Sequence, residues 1–346
     1  MQRLSGKQVS DEAEDLLMHR YRCDEYVALT SAEVKSKLAQ FGVCVIPRLL
    51  NKDECAAMER GAWTWLEDAT QHLPIPVKKD APETWKSYFE LLPSHAMLLQ
   101  HWGIGQARWL WEVRSNRKVM QVFASLWNTS LDDLITSFDG AAIHLPHEVT
   151  RRGFYRGNTW LHTDQSYGRP NMECVQSWVT ARKVRAGDAT LAFIPGSHQL
   201  HGAFASRFGP AVVQSRDWFK LNEEQQRWYE DQTGAVRQFI KCPRGSMVLW
   251  DSRLIHSGSE AMRTRPLANI RTVAFVCMTP RRLASDKMLK KRVAAFEAGR
   301  TSSHWPHKLH VFGKLPRTYG NPVPRVFIGA PHIPSGVERR LVGYSK

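Results

Sequence analysis

The sequence predicts a mostly β fold, a jelly-roll core framed by N-terminal and C-terminal helices. Two observations lead there. Five short runs rich in β-branched and aromatic residues read as strands: Leu134–Phe138, Val175–Ala181, Leu191–Ile194, Met247–Trp250 and Thr272–Met278. Turn-forming residues separate them, and stretches of helical periodicity with capping signals gather before and after the block.

Thr30-Ser31 with Glu33 behind it opens a capped helix that runs to Gln40, and Gly42 lies just past its end. Val43 to Pro47 is a short strand. Asn51 with Glu54 three residues on opens a second helix through Ala56, Trp63 and Trp65. Residues 73–110 hold Pro74, Pro76, Pro82 and Pro93 among many aromatics and read as an irregular lid or shell. Asn116 to Trp127 is a third helix, and the strand block follows. Within it Pro195-Gly196 marks a tight turn, Gly supplying the positive-φ position. Ser285 caps a basic helix from Asp286 to Ala298 that ends at Gly299. From Pro306 the tail shows Pro and Gly but little periodicity. We expect an N-terminal extension over 1–30, one large domain over 31–280, and a C-terminal basic helix and tail over 281–346 packed on it.

The chain has 346 residues with a formal net charge of +15. The charge is uneven: residues 1–150 hold 16 Lys+Arg against 20 Asp+Glu, and residues 151–346 hold 32 against 13. A basic half can attract anionic substrates or a nucleic-acid backbone, or form an ordinary soluble surface. Trp218, Trp228 and Trp305 near basic runs suit base stacking and, equally, core or cavity walls. There is no internal repeat or low-complexity tract, and no run nears the roughly 18 apolar residues of a membrane span. The first twenty residues carry four acidic groups and no apolar core, unlike a signal peptide. Six scattered cysteines without C-x-x-C suit a reducing compartment, and we expect a cytoplasmic protein.

The chemistry lies in His162-Thr163-Asp164. Residues i and i+2 of an extended segment share a face, so one imidazole and one carboxylate can hold one cation. A third ligand must come from elsewhere, and His256, 92 residues beyond Asp164, stands in a strand-rich context. Two His and one carboxylate on one side of a metal leave the opposite positions open, which suits a non-haem Fe(II) that activates O₂. A surface His beside a solvated Asp is the bland alternative.

The sequence between and around these residues decides between the two. Val175-Gln-Ser-Trp-Val-Thr-Ala181 is followed by Gly187-Asp-Ala-Thr-Leu-Ala-Phe-Ile-Pro-Gly-Ser-His198. Then comes Pro243-Arg-Gly-Ser-Met-Val-Leu-Trp-Asp-Ser-Arg-Leu-Ile-His-Ser-Gly258, with Arg271 opening the next apolar run. Over about 160–280 the chain resembles the phytanoyl-CoA dioxygenase family of Fe(II)/2-oxoglutarate oxygenases: H-x-D, a strand ending in P-G-S-H, a G-x-x-x-x-x-D strand leading to a second His, and an Arg before the last core strand. Phe41-Gly-Val-Cys-Val-Ile-Pro-Arg-Leu-Leu50 adds a weaker likeness.

The resemblance implies a double-stranded β-helix, cupin-like, with Fe(II), 2-oxoglutarate as cosubstrate and O₂; ascorbate can serve as reductant. It implies His162, Asp164 and His256 as metal ligands and catalytic centre, and Arg271 for the far carboxylate of 2-oxoglutarate, a role for which a guanidinium fork is shaped. Arg263 and Arg265 compete for that role. Gln176 and Trp178 fall on a strand that lines the cosubstrate site in similar enzymes, and Thr190 and Ser257 can add hydroxyl contacts. His198 is the rival ligand but follows a tight turn and is better placed to hold that loop. His144, His147 and His201 read as surface or cavity residues, while His304 and His307 could approach the site from the tail.

The expected reaction oxidises an unactivated C–H of a small, anionic organic molecule and releases succinate and CO₂. Hydroxylation is the default, with desaturation or cyclisation using the same ligands. Asp164 argues against halogenation, which replaces that carboxylate with a small residue. Action on a nucleic-acid base and a non-catalytic cupin-like Zn²⁺ or Mn²⁺ protein remain alternatives.

Overall fold

The computed structural model describes residues 10–92, 97–157, 160–317, 322–329 and 332–345. The first nine residues of the expected N-terminal extension, Pro93 of the expected lid and several positions of the tail lie outside these. Fourteen strands are present among the described residues: β1 Tyr21–Arg22, β2 Val43–Ile46, β3 Leu98–Leu99, β4 Leu134–Thr136, β5 Ala141–His144, β6 His162–Thr163, β7 Val175–Thr180, β8 Thr190–Phe193, β9 Phe219–Lys220, β10 Gln238–Ile240, β11 Met247–Asp251, β12 His256–Ser259, β13 Arg271–Val276 and β14 Met278–Pro280. They form two six-stranded sheets, β2-β11-β7-β13-β5-β3 and β1-β10-β8-β12-β6-β9. All pairs within them are antiparallel except β1 with β10. This is the jelly-roll core that the strand runs predicted.

Strand alternation explains how the first sheet is buried on both faces. Val43, Val45, Trp178, Val248, Trp250 and Val273 point inward and pack with Leu191, Phe193 and Ile240 of the second sheet. Their neighbours Cys44, Val175, Val179, Met247, Leu249, Ala274 and Val276 point outward, into a layer shared with helices that include Lys52–Thr70, Arg108–Arg114 and Arg117–Trp127. The helix caps follow the sequence closely. Thr30 and Glu33 form one capping box ahead of Ser31–Phe41, and Asn51 and Glu54 form another. Gly42 takes φ 76° as C-cap, and a Cβ there would lie 2.6 Å from the His198 ring.

Four expectations need correction. The Leu134–Phe138 strand stops at Thr136 and pairs with β14, apart from the two large sheets. The Thr272–Met278 run divides at Cys277 into β13 and β14. The segment 73–110, read as irregular, holds the 3₁₀ stretch Pro82–Leu91, strand β3 and the start of a helix at Arg108. The tail ends in a helix, Gly336–Val342, with a Ser335–Glu338 capping box that marks it plainly. Among the described residues no helix is long and apolar enough to cross a membrane.

Candidate functional site

The second sheet brings the two histidines together. β6 pairs with β12, and His162 stands directly opposite His256. Their ring centroids are 4.5 Å apart. Each Nδ1 is held 2.9 Å from a backbone carbonyl two residues earlier, Trp160 for His162 and Leu254 for His256. That bond fixes Nδ1 as the donor and leaves each Nε2 as the basic nitrogen. Both Nε2 atoms face Asp164, at 3.5 Å to Oδ1 from His162 and 3.4 Å to Oδ2 from His256. One ligand atom from each of the three residues falls within 4.8 Å of the others. One first-row ion at about 2.0–2.2 Å from each donor spans such a triangle.

Asp164 is positioned from behind. Its amide donates to the Ser252 carbonyl at 3.0 Å, and the Gln176 amide donates to its Oδ2 at 3.0 Å. Burial would raise its carboxyl. Positive charge on the neighbouring His162 and His304 imidazoles outweighs this and holds it well below the usual carboxylate range. The Trp250 indole N–H approaches His256 Nε2 at 3.2 Å and has to yield that nitrogen to an ion.

These groups line a cavity of about 950 Å³ between the sheets. Trp160, Trp178, Trp218, Trp250, Phe275 and Trp305 contribute rings to its walls. Arg271 enters from β13. Its guanidinium is buried, lies 5.4 Å from the Trp178 ring centroid, and among the described residues reaches only the Met97 sulfur, at 4.0 Å. Its Nε has no hydrogen-bond partner, and no carboxylate pairs with it among the described residues. Burial pushes this guanidinium down to about 10. The competing arginines are committed elsewhere: Arg263 pairs with Asp11 and Glu14, and Arg265 with Glu148 and Asp188.

The remaining expected residues separate. Gln176 and Trp178 line the cavity, but Gln176 spends its amide N–H groups on Asp164 and, at 3.4 Å, Ser252. Thr190 lines the cavity while its hydroxyl donates to the Ile240 carbonyl at 2.7 Å. Ser257 is buried yet is not among the lining residues, because alternation along β12 turns it away from the face of His256. His198 holds the loop as expected, through the Ala39 carbonyl at 3.1 Å. His144, His147 and His201 are buried rather than on the surface. His304 does reach the cavity wall, on the stretch 303–312, whereas His307 faces Thr279.

Sequence reasoning missed Asp139, Trp160, Trp250 and Phe275, all lining the cavity. Period-two spacing could have found two of them. Trp160 precedes His162 by two residues, and Phe275 shares a strand face with Arg271. Asp139, in the link between β4 and β5, leaves no such signal.

The phytanoyl-CoA dioxygenase (PhyH) family matches residues 38–266, well over half of the chain. The chain belongs to that family. It is therefore an oxidoreductase, a 2-oxoglutarate-dependent oxygenase that uses iron. A curated relative of this PhyH chain is Ava biosynthesis cluster protein O from Aspergillus versicolor, 30% identical over 217 residues, which are 60% of this chain and 66% of that protein. The fold is shared with a candidate oxidoreductase from Salmonella typhimurium LT2, 12% identical with a TM-score of 0.54, over 96% of this chain and 89% of the other. EctD from S. alaskensis, solved with bound Fe, is 16% identical with a TM-score of 0.47, over 80% and 82% of the two chains.

Proposed function

We propose that this chain oxidises an unactivated C–H of a small organic molecule, with hydroxylation as the default outcome. His162, Asp164 and His256 would hold the iron, and Arg271 would bind the distal carboxylate of 2-oxoglutarate. The observation that carries this reading is one cavity containing both a His₂Asp donor triangle and a buried guanidinium with no oxygen partner among the described residues. A desolvated cation without a counter-charge is costly, and a carboxylate ligand relieves that cost. Bound iron with 2-oxoglutarate supplies the oxidising power, with succinate and CO₂ as co-products.

The chain's own residues do the rest. The Trp160 and Leu254 carbonyls orient the two imidazoles, and Gln176 fixes the Asp164 carboxylate. The Trp178 face supports the Arg271 guanidinium. The aromatic walls exclude water and give the substrate an apolar berth. We assign 31–280 to the oxygenase unit and 281–346 to the same domain, since Arg292 bonds the Thr136 and Pro306 carbonyls at 2.6 and 2.8 Å.

The expectation of an anionic substrate drew on basic clusters that the fold disperses. Arg182 pairs with Glu59, Arg282 with Asp133, and Arg292 is sealed among backbone carbonyls. None of the clusters at 151–152, 182–185, 281–282 or 290–292 lines the cavity. At the rim Arg216 is exposed beside Asp217, and Lys308 pairs with Glu173. The same dispersal weighs against a continuous stripe for a polynucleotide. The test is succinate release from 2-oxoglutarate by the Fe(II)-loaded protein, with and without candidate small molecules. Absence of both succinate release and 2-oxoglutarate binding would overturn the proposal.

A further inference from the structure

Two buried charged groups in the cavity, Arg271 and one acid, have no ion-pair partner among the described residues, and 2-oxoglutarate accounts for only one. The other is Asp139. Its residue is 9% exposed and lines the cavity. Its carboxylate accepts one hydrogen bond, from the Gly140 amide at 2.7 Å, and has no ion pair among the described residues. Arg114 lies behind it but donates to the backbone carbonyls of Gly105 and Asp139, so it adds field without bonding the carboxylate. Burial pushes the carboxyl up to about 6. The Gly140 amide and the Arg114 charge oppose that rise, and the Asp164 charge adds to it.

The backbone that carries Asp139 is locked on both sides. Phe138 accepts from the Ser302 amide at 2.9 Å and donates to Ser302 Oγ at 3.0 Å. The Gly140 carbonyl accepts from the Phe275 amide at 3.3 Å, and a Cβ on Gly140 would lie 1.8 Å from the Leu99 carbonyl oxygen. The carboxylate is thus held in place at a cost, where β13, β3 and the 302–304 wall converge. A buried carboxylate with one hydrogen bond is a group waiting for a donor.

We propose that Asp139 binds a protonated nitrogen of the substrate, an amine or a related organic cation whose hydrocarbon or aromatic body lies against the tryptophan walls. The proposal rests on the oxygenase reading and names the substrate class for the same site. Aromatic rings such as Trp160 and Trp250 favour a cation over an anion. A carboxylate on the substrate would meet Asp139 as a like charge.

Three probes of one shape separate the choices: phenethylamine, 2-phenylethanol and phenylacetate. Their binding is measured by calorimetry to the Fe(II)- and 2-oxoglutarate-loaded protein under argon. The expected result is at least about 10-fold tighter binding of phenethylamine than of the other two. Asp139→Asn should remove that preference and leave 2-oxoglutarate binding unchanged. Equal binding of the three probes, tighter binding of phenylacetate, or no binding of the amine at millimolar concentration overturns the proposal. An unaltered preference in Asp139→Asn does the same. Failure of 2-oxoglutarate itself to bind would instead overturn the oxygenase reading.

Discussion

Two buried arginines, Arg292 and Arg271, occupy similar depths and opposite chemical situations. Arg292 gives its N–H groups to four carbonyls, those of Val342, Pro306, Thr136 and Leu341, at 2.6–2.9 Å. It ties the C-terminal helix and tail to the back of the domain. Arg271 has a sulfur at 4.0 Å and an indole face, and no oxygen acceptor within hydrogen-bond distance among the described residues. The acids repeat the contrast. Asp188 is saturated by Arg265, Asn269 and the Arg185 amide, while Asp139 has one amide. Depth alone does not mark a functional charge; depth without a partner, facing a cavity, does.

The largest expected effect breaks the cavity side. Replacing His162, Asp164 or His256 by Ala should abolish turnover of 2-oxoglutarate while the far-ultraviolet circular dichroism stays native. Any one variant that keeps substantial turnover would remove that residue from the ligand set. Next comes a paired substitution with opposite signs. Arg292→Met orphans four carbonyls and should destabilise the protein by at least about 3 kcal/mol in urea unfolding. Arg271→Met removes a buried unpaired cation and should stabilise the ligand-free protein by about 1–4 kcal/mol. If both destabilise alike, the two arginines do not differ as described.

The legibility of the sequence follows the same division. Thr30 with Glu33, Asn51 with Glu54 and Ser285 were readable because a cap needs only residues three apart. His162, Asp164, His256 and Arg271 were readable because their spacing and flanking strands form a pattern. β5 was not, since Ala-Ala-Ile-His has little β character and owes its place to β13 and β3 on either side. The helix Glu223–Thr233 was overlooked despite its Asn222–Gln225 capping box, because its face is almost wholly polar. Asp139 and the 303–312 wall were beyond reach for another reason: long-range bonds from the Phe138 amide to Ser302 Oγ and from the Gly105 amide to Thr301 Oγ1 place them, and no local periodicity records those.

A smaller effect concerns pH. The Asp139 carboxyl is pushed up to about 6 by burial, so the folded state holds its proton more tightly than the unfolded chain. The stability that this proton contributes is fully present below about pH 4 and is lost as pH rises through 6. Asp139→Asn has no such proton. It should match the wild type near pH 4 and exceed it by up to about 3 kcal/mol at pH 7.5, read from urea unfolding across pH. A difference that does not change with pH would mean that Asp139 has a partner in the folded protein. The smallest effect is at His198, where His198→Ala should cost about 1 kcal/mol for its bond to Ala39 and leave iron affinity unchanged. Loss of iron would return His198 to the ligand set.

The central claim is that Arg271, not one of its paired neighbours, awaits the cosubstrate. Anaerobic titration of 2-oxoglutarate into the Fe(II)-loaded wild type, Arg271→Ala, Arg271→Lys and Arg265→Ala tests it directly. Arg271→Ala should weaken binding by at least about 10-fold, since a buried charge-assisted pair contributes roughly 1.5–3 kcal/mol. Arg271→Lys should recover only part of it, because a point charge replaces a fork. Arg265→Ala should lose stability through Glu148 and Asp188 while its folded fraction binds 2-oxoglutarate normally. Wild-type affinity in Arg271→Ala together with a 10-fold or greater loss in Arg265→Ala, on the same order of effect, would contradict the account.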